Sequence, residues 1–460
     1  MRQRPSTLLG WLLLIAPPAA AQAPSDSTIR DILARRVATR QAAGIVVGLV
    51  EGDRARFIAY GNRAGDGTSP LDERTVFEIG SATKAFTGIL LAEMAQRGEI
   101  SLDQALTSLL PPEVGRVAGS RNGKTITLLD LATHTSGLPR LPANLEPAEP
   151  ENPYAGYTPD RMYSFLAGYS LPRDPGERYE YSNYGMGLLG QVLARRLALS
   201  YEQALIARVL DPLELSDTRI TLNAGMQARL AQGHTASLST QKLWDLGALE
   251  GAGAVRSTAA DLIRFLQANL GPGPTAIGAA LDSAQQPRRT TPTANLSIGL
   301  GWHLLERNGR RIIWHNGQTG GYHSFIAFDR ARRAAVAVLA NSAHDIDDIG
   351  LHLLDSSLRL REIPPAVERR EIELDPAELD RFVGEYELAP VFSIVVTKEN
   401  GFLWAQATGQ PKFQIFAEAR DRFFYKVVDA QLVFVVDSGG RVTGLTVHQA
   451  GQAIPGRKVR

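Results

Sequence analysis

The sequence predicts an α+β fold: one antiparallel β-sheet flanked by helices, with a helical subdomain inserted into it, followed by a small C-terminal β-barrel. Strand-like runs occur near residues 45–60 and again near 311–339, and the chain between them is typical of helices and loops. After residue 376 apolar residues recur at every second position, which indicates short strands. A length of 460 residues also favours more than one domain.

The first region begins with a helix predicted over 26–42, because Ile29, Ile32 and Leu33 have helical spacing behind Ser25 or Asp26 as a cap. Strands over 45–50 and 55–60 flank Gly52-Asp53, a typical hairpin turn. The later elements are a helix over 81–97, strands over 311–314, 322–328 and 334–339, and a helix over 345–360. One sheet built from both ends accommodates this order, and a cleft is expected where it meets the helical insertion.

The C-terminal region is predicted to be a separate barrel over 377–460, joined by a charged, proline-containing linker over 363–376. Its expected strands lie around 392–396, 403–407, 423–428, 432–436 and 442–448, with turns at 399–401 and 437–440. No catalytic motif occurs in this region. The barrel is therefore expected to shape access or assembly.

The N-terminus has the pattern of a secretory signal peptide. Arg2 and Arg4 precede an apolar run over 8–16, and small residues follow at 19–21 and at 23. Cleavage after Ala21 or Ala23 fits the small-residue rule, and Pro24 favours Ala21. The run is about half the length that spans a bilayer, so the mature chain is predicted to be secreted across the inner membrane into the periplasm without a stable membrane anchor.

Charge and cysteine content exclude several classes of function. The chain has 49 basic and 48 acidic residues, too balanced for a protein that binds nucleic acid or an anionic membrane surface. It has no cysteine, so disulfides, thiol catalysis and cysteine zinc sites are excluded. The eight histidines have no metal-ligand spacing, and neither a metal site nor a cofactor is predicted.

Ser81-Ala82-Thr83-Lys84 is the first motif with catalytic chemistry. Residues three apart at the start of a helix are neighbours, so the Lys84 amine can reach the Ser81 hydroxyl and act as its base. The helix N-terminus offers unpaired N–H groups to a developing oxyanion. The same pattern recurs at Ser239 and Lys242, where no partner motif follows, and that match is interpreted as chance.

Two further motifs supply partners for this serine. In Tyr181-Ser182-Asn183 the phenol and the amide can face one pocket, and a cationic neighbour would lower the Tyr181 pKa. His315-Asn316-Gly317-Gln318 continues a predicted strand and offers an imidazole and an open backbone to a ligand.

Together, SxxK, YxN about 100 residues later and an H-x-G strand resemble the penicillin-recognising serine hydrolases. That superfamily includes class C β-lactamases, D-alanyl-D-alanine carboxypeptidases, D-aminopeptidases and related esterases. The resemblance covers about residues 28–345 and includes 77–80, 134–139 and 253–258. It implies a β-lactamase/transpeptidase-like domain over 22–362, and residues 377–460 resemble the lipocalin-like barrel of some members.

Carried over by position, the resemblance implies that Ser81 becomes acylated and that Lys84 and Tyr181 share the general-base and general-acid roles. Asn183 would orient Lys84 and bind the substrate amide. The backbone N–H groups of Ser81 and Gln318 would form the oxyanion hole beside Gly317, and His315 and Asn316 would face the substrate carboxylate. The implied substrate is a small molecule or peptide: a β-lactam, a D-amino-acid peptide or an ester.

One departure leaves the substrate open. Class C enzymes have Lys where this chain has His315, and related peptidases and esterases often have His. The leading hypothesis is amide hydrolysis of D-amino-acid peptides or β-lactams. The alternatives are a carboxylesterase for short acyl esters and a non-catalytic assembly protein. The oligomeric state is not predicted.

Two motifs receive structural interpretations. Residues 185–190 match a dinucleotide-binding fingerprint, but no βαβ unit surrounds them, so these glycines are predicted to allow close helix packing. The hydroxyls of Thr135 and Ser136, in the segment 134–139, are predicted to bond local backbone and to shape the pocket wall.

Overall fold

The computed structural model describes residues 23–64, 68–115, 119–149, 151–271, 273–274, 276–362, 369–389, 392–408, 410, 412–426, 428, 430–449 and 452–460. The predicted signal peptide over 1–21 lies outside the described residues, as do residues 363–368 of the predicted linker. Within the described ranges, no helix has the length and apolar character needed to cross a membrane.

The chain begins with a helix and a hairpin: α1 (Asp26–Ala38), β1 (Gly44–Glu51) and β2 (Arg54–Gly61). Ser25 caps α1 by accepting a hydrogen bond from the Thr28 N–H. The helix ends four residues before its predicted end, because Arg40 takes a left-handed backbone conformation with φ 58°. The hairpin turns at Gly52-Asp53 as predicted, with Gly52 at φ 63°.

The middle of the chain is mainly helical. Its helices are α2 (Thr83–Gln96), α3 (Pro112–Gly115), α4 (Leu128–Ala132), α5 (Pro159–Gly168), α6 (Asn183–Leu197), α7 (Tyr201–Leu205), α8 (Ala224–Ala228), α9 (Glu250–Gly253), α10 (Ala259–Leu270) and α11 (Gly278–Ala284). Its short strands are β3 (Val76–Glu78), β4 (Ser120–Arg121), β5 (Lys124–Thr125), β6 (Gly233–His234), β7 (Thr240–Gln241) and β8 (Arg256–Thr258).

The glycines of α6 allow close helix packing, as predicted. A Cβ at Gly187 would lie 2.7 Å from a Leu249 side-chain carbon, and one at Gly190 would lie 3.0 Å from the Gly251 Cα.

Strands from both ends of this region form one sheet. The later elements are β9 (Arg289–Thr290), β10 (Leu296–Ile298), β11 (His303–Arg307), β12 (Arg310–Gln318), β13 (His323–Asp329), β14 (Ala334–Ala340) and α12 (Asp347–Leu354). The order across the sheet is β2-β1-β14-β13-β12-β11-β10-β9, with every neighbouring pair antiparallel. The predicted sheet is confirmed. The predicted helix over 345–360 is too long, because the backbone is extended at Asp355.

Both faces of the sheet are covered. Along β1, Val46 and Val50 pack into the core that contains α2 and α10, whereas Ile45, Val47 and Leu49 pack into the core that contains α1 and α12. This alternation follows from the period of two along a strand. It places the helical region, and the cleft beside it, on one face of the sheet.

The C-terminal region forms a closed eight-stranded barrel, which confirms the predicted barrel. Asp375 caps the short helix α13 (Pro376–Leu379). The strands are β15 (Gly384–Ala389), β16 (Phe392–Glu399), β17 (Phe402–Ala407), β18 (Lys412–Ala419), β19 (Arg422–Tyr425), β20 (Ala430–Val436), β21 (Val442–Gln449) and β22 (Gln452–Lys458). The last strand pairs with the first.

Candidate active site

Ser81 lies in the tight turn between β3 and α2. Residues Gly80–Ala82 form a single 3₁₀ turn, and α2 begins directly after it. Gly80 has φ +50°, a conformation that favours glycine, and a Cβ there would lie 2.7 Å from the Gln318 backbone nitrogen. The turn therefore places Ser81 at the positive end of α2 and against the end of β12.

Lys84 lies one helical turn after Ser81 and is fully buried. Its Nζ is 3.0 Å from Ser81 Oγ, 2.8 Å from Asn183 Oδ1 and 2.7 Å from the Ala252 carbonyl oxygen. Burial, with a smaller contribution from Arg140, lowers the pKa of Lys84 well below its usual value. A neutral amine has two N–H donors for the two carbonyl oxygens and one lone pair for the Ser81 hydroxyl proton, so these contacts fit its uncharged form.

Tyr181 and Asn183 approach Lys84 from the start of α6. Ser182 caps this helix, accepting the Gly185 N–H at 2.8 Å, and Asn183 is its first residue. Lys84 Nζ lies 4.8 Å from the centre of the Tyr181 ring. The Ser81 hydroxyl and the nearby Arg140 favour the phenolate, but burial outweighs both, so the pKa of Tyr181 is raised. The expectation of a lowered pKa for Tyr181 was wrong.

The segment 134–139 supports this arrangement from behind. Ser136 Oγ accepts the Leu138 N–H, which is the local backbone bond predicted for it, whereas Thr135 Oγ1 donates to the side-chain carboxylate of Asp130. Neither residue lines the cavity, so the prediction that they shape its wall was wrong. His134 Nδ1 accepts the Ser182 N–H at 3.2 Å, and its ring lies 4.5 Å from that of Tyr181. His134 thus holds both the backbone and the phenol of the Tyr181-Asn183 segment.

The end of β12 lies directly against the turn that carries Ser81. A Cβ at Gly317 would lie 1.9 Å from the Ile79 carbonyl oxygen, so only glycine permits this approach. Ser324, the residue paired with Gly317 on β13, donates its hydroxyl to the same carbonyl at 2.7 Å. On its other side β12 pairs with β11 only as far as Trp314, so residues 315–318 have a free edge among the described strands.

His315 is buried behind the site and does not line the cavity. Its Nδ1 contacts its neighbour's carbonyl at Asn316, and its ring lies 5.0 Å from that of His303. Burial, together with the proximity of His303 and Lys84, lowers the pKa of His315 well below its usual value. The structure therefore corrects the expectation that His315 presents an imidazolium to a substrate carboxylate: the ring is neutral and faces protein.

A different histidine faces the cavity. His323 Nε2 donates to Asp347 Oδ1 at 2.9 Å, and Asn316 Nδ2 donates to the other oxygen of Asp347 at 2.6 Å. Burial alone would lower the pKa of His323, but the carboxylates of Asp347 and Asp345 outweigh it, and the pKa is raised. His323, Asp345 and Asp347 place ligand atoms within 4.8 Å of one another. Since Arg361 also donates to Asp345 at 2.8 Å, the group forms a hydrogen-bonded network of carboxylates and donors.

One cavity of about 640 Å³ joins these groups. The sequence-predicted residues that line it are Ser81, Tyr181, Asn183, Asn316, Gly317 and Gln318. Lys84 lies beneath its floor. The second SxxK match is not part of it: Lys242 is exposed and pairs with Glu149 at 3.2 Å, as expected for a chance match.

The cavity residues that the sequence reasoning missed include Arg140, Trp244, His303 and His323. The Arg140 guanidinium lies 5.1 Å from the centre of the Tyr181 ring and has no carboxylate partner among the described residues. A signal for Arg140 existed, because it is the charged residue that directly follows the segment 134–139. Trp244, His303 and His323 have no comparable sequence signal.

Both regions of the chain match known protein families. The model of the family described as Beta-lactamase matches residues 29–354, and that of a domain of unknown function, DUF3471, matches residues 368–458. The lipocalin-like resemblance of this region stays a prediction. A beta-lactamase of Escherichia coli K12 is 28% identical over 374 residues, covering 73% of this chain and 94% of its own.

Two further relatives agree. The D-alanyl-D-alanine-carboxypeptidase/endopeptidase AmpH of Escherichia coli K12 is 29% identical over 301 residues, covering 62% of this chain and 76% of its own. The structure of a class C beta-lactamase from Rhodobacter sphaeroides has a TM-score of 0.61 at 25% identity, covering 72% of this chain and 97% of that one. With a family match over residues 29–354 and the Ser81, Lys84 and Tyr181 geometry inside it, the chain belongs to the beta-lactamase family and is a serine hydrolase.

Proposed function

We propose that this hydrolase forms an acyl-enzyme on Ser81 and cleaves amide bonds of D-amino-acid peptides or β-lactams. The observation that supports this most directly is the buried Lys84 amine, which lies 3.0 Å from Ser81 Oγ with its pKa lowered well below the usual value. A neutral amine at this distance can accept the serine proton. The substrate class is proposed from the relatives, which are named as beta-lactamases and as a D-alanyl-D-alanine-carboxypeptidase/endopeptidase.

In the proposed acylation, Ser81 Oγ attacks the substrate carbonyl while its proton moves to Lys84 Nζ. The backbone N–H groups of Ser81 and Gln318 donate to the developing oxyanion. When the tetrahedral intermediate collapses, the leaving amine takes a proton from the Tyr181 phenol. The resulting phenolate is reprotonated by Lys84, which passes on the proton that it took from Ser81. Because burial raises the Tyr181 pKa, the phenol enters the reaction protonated, which suits a general acid.

Deacylation repeats these steps with water in place of Ser81. Water loses a proton to the same base, attacks the ester carbon, and Ser81 Oγ leaves as a hydroxyl. Asn183 holds Lys84 in place for both halves of the reaction through its 2.8 Å hydrogen bond. A substrate carboxylate would be bound by Arg140, because the neutral, buried His315 presents no charge to the cavity.

One observation favours a second candidate function, a carboxylesterase. The position at which class C enzymes have a lysine is occupied by the neutral His315, and the lining of the cavity includes Leu141, Trp244 and Leu246. A less charged site favours neutral acyl esters over substrates with a carboxylate.

We further propose that residues 1–21 direct export, and that the mature chain acts in the periplasm. The pattern of Arg2, Arg4 and the apolar run supports this. Analysis of the mature N-terminus after expression with residues 1–21 present tests it, with cleavage after Ala21 expected.

The acyl-enzyme is tested by covalent labelling. A fluorophosphonate probe and a labelled penicillin should modify the wild-type chain, Ser81→Ala should lose both labels and turnover, and Ser239→Ala should keep them. Losses on the order of 10⁴-fold or more are expected for Ser81, Lys84 and Tyr181 variants, and they should be non-additive. Labelling retained in Ser81→Ala would exclude the proposal. A panel of a D-Ala-D-Ala peptide, a chromogenic cephalosporin and 4-nitrophenyl butyrate separates the substrate classes.

A further inference from the structure

The cavity that contains Ser81 continues into the C-terminal barrel. The same volume of about 640 Å³ is lined by Ser81, Tyr181 and Gln318 at one end and by inward-facing barrel residues at the other. The barrel residues come from the ends of neighbouring strands that share one mouth, including the end of β17 and the start of β20. The mouth of the barrel therefore opens onto the active site.

The opposite end of the barrel is filled. Phe382, in the turn after α13, packs 5.0 Å from Phe423 and 4.6 Å from Phe434, measured between ring centres. Tyr386 lies 5.5 Å from Phe434 and completes the aromatic cluster. These side chains are buried. The lumen is therefore a blind pocket with a single opening.

Side-chain size along the strands creates this pocket. On β20, Ala430 lies near the mouth, whereas Leu432 and Phe434 on the same face fill the closed end. On β17, Ala405 and Ala407 line the cavity, and Leu403 on the same face lies deeper in the core. Small residues on alternate positions thus leave space in the half that faces Ser81.

The lumen wall has the chemistry of an alkyl-binding surface. Its lining includes Ile394, Ala405, Ala407, Ala430, Val447 and Ile454. The polar members of the barrel lining are Gln410, Gln449 and Tyr425, and none of the described barrel residues that line the cavity is charged. A peptide brings an N–H and a C=O per residue that need partners when buried, whereas an alkyl chain brings none. The wall therefore suits an unbranched hydrocarbon chain better than a peptide.

We propose that the barrel lumen binds the alkyl chain of the substrate while the adjoining carbonyl reaches Ser81. This rests on the proposed acyl-enzyme on Ser81, which both candidate functions share, and it assigns the site esters or amides with an unbranched aliphatic tail. The chain can belong to the acyl group or to the leaving group, since the cavity extends from the site that both share. Burial of each methylene should raise kcat/KM by a factor of roughly 4 until the lumen is full.

The test is a chain-length series in two arms. The first uses 4-nitrophenyl esters from acetate to myristate, which place the chain on the acyl group. The second uses alkyl acetates from ethyl to dodecyl, followed by acid release, which place it on the leaving group. A rise in kcat/KM with chain length is expected in one arm, and that arm identifies the side.

Variants that fill the lumen should abolish the rise. Ala407→Trp and Ala430→Phe should lower the ratio of long-chain to two-carbon kcat/KM by at least tenfold. Ala453→Phe, at an exposed strand position that does not line the cavity, should preserve the ratio. Thermal unfolding and fluorophosphonate labelling identify any variant that fails to fold. If one of the two lumen variants fails to fold, the chain-length ratio of the other one is the test. A flat or falling wild-type profile in both arms, or an unchanged ratio in a folded lumen variant, would overturn the proposal.

A binding measurement separates this proposal from the catalytic one. Pyrene-labelled dodecanoic acid should bind Ser81→Ala as well as wild type, and Ala407→Trp should weaken this binding at least tenfold. If the wild-type chain is not labelled at Ser81 but still binds the pyrene probe, the acyl-enzyme proposal is wrong and the lumen proposal is supported. Absence of pyrene binding to both wild type and Ser81→Ala would overturn the lumen site.

Discussion

Gly317→Ala is the sharpest test of how the sheet positions the reacting serine. A Cβ at Gly317 would lie 1.9 Å from the Ile79 carbonyl oxygen and 2.8 Å from Ser324 Oγ. Real contacts of a Cβ are not found below 3.0 Å, so the end of β12 and the Ile79 backbone must separate by at least 1.1 Å. The flanking peptides carry the N–H groups of Ser81 and Gln318, so the separation widens the proposed oxyanion hole.

The expected loss follows from the size of that displacement. Misplacing catalytic groups by about 1 Å can cost about 100-fold in rate, and losing one oxyanion donor costs about 10² to 10³ in kcat. We therefore expect Gly317→Ala to lower kcat by about 10² to 10³, with a smaller effect on KM. The acylation rate with a fluorophosphonate should fall in parallel, because the same donors stabilise its transition state.

The control is Gly168→Ala, at the end of α5, where a Cβ would have no heavy atom within 4 Å. It should leave kcat unchanged within a factor of two. If Gly317→Ala fails to fold by circular dichroism, Gly80→Ala applies the same strain from the other side, since its Cβ would lie 2.7 Å from the Gln318 nitrogen. A folded Gly317→Ala enzyme with kcat within threefold of wild type would refute the reasoning.

Three further outcomes are expected. The acidic limb of kcat/KM against pH should reflect the titration of Lys84, because protonation removes the base. In Ser81→Ala, ¹³C NMR of labelled lysine should show Lys84 titrating well below 10.5, and an ordinary lysine pKa would contradict this. His315→Gln should leave the alkaline limb where it is, because burial keeps the ring neutral throughout, and a moved limb would restore a charged role. Arg140→Gln should raise KM for carboxylate-bearing substrates at least tenfold relative to neutral esters. Arg178→Gln, at an exposed position, is the control, and an unchanged ratio of the two KM values in Arg140→Gln would contradict the prediction.

Much of the sheet was predictable because its main strands are long and contain many apolar and β-branched residues. The runs around Ile45 and Val336 are apolar throughout, as expected for strands buried on both faces. Boundaries were less predictable where a single backbone angle decides them. Arg40 ends α1 with a left-handed conformation, and its side chain gives no sign of this.

Contacts in the site were predictable where the two residues are close in the sequence. The charge states of site residues were less predictable, because they depend on burial by residues far away in the sequence. Ser81 and Lys84 are one helical turn apart, so their contact follows from helix geometry. The charge of His315 could not be read from the sequence, because it depends on burial against His303, which comes from the neighbouring strand. The same applies to Tyr181, whose pKa rises through burial although the Arg140 guanidinium lies beside it.

The sheet order has a consequence for the time course of folding. Ile45 pairs with Ala340, a separation of 295 residues, so β1 gains its inner neighbour only after nearly the whole catalytic region exists. At synthesis rates of about 5–20 residues per second, β1 and its hairpin partner wait roughly 15–60 s for that neighbour. During this interval a run of apolar, largely β-branched residues has an exposed edge open to other chains. Joining two distant segments in one sheet therefore makes this fold slow to nucleate. The yield of folded protein should depend more on keeping the early β1-β2 hairpin from pairing with other chains than on the stability of the finished fold.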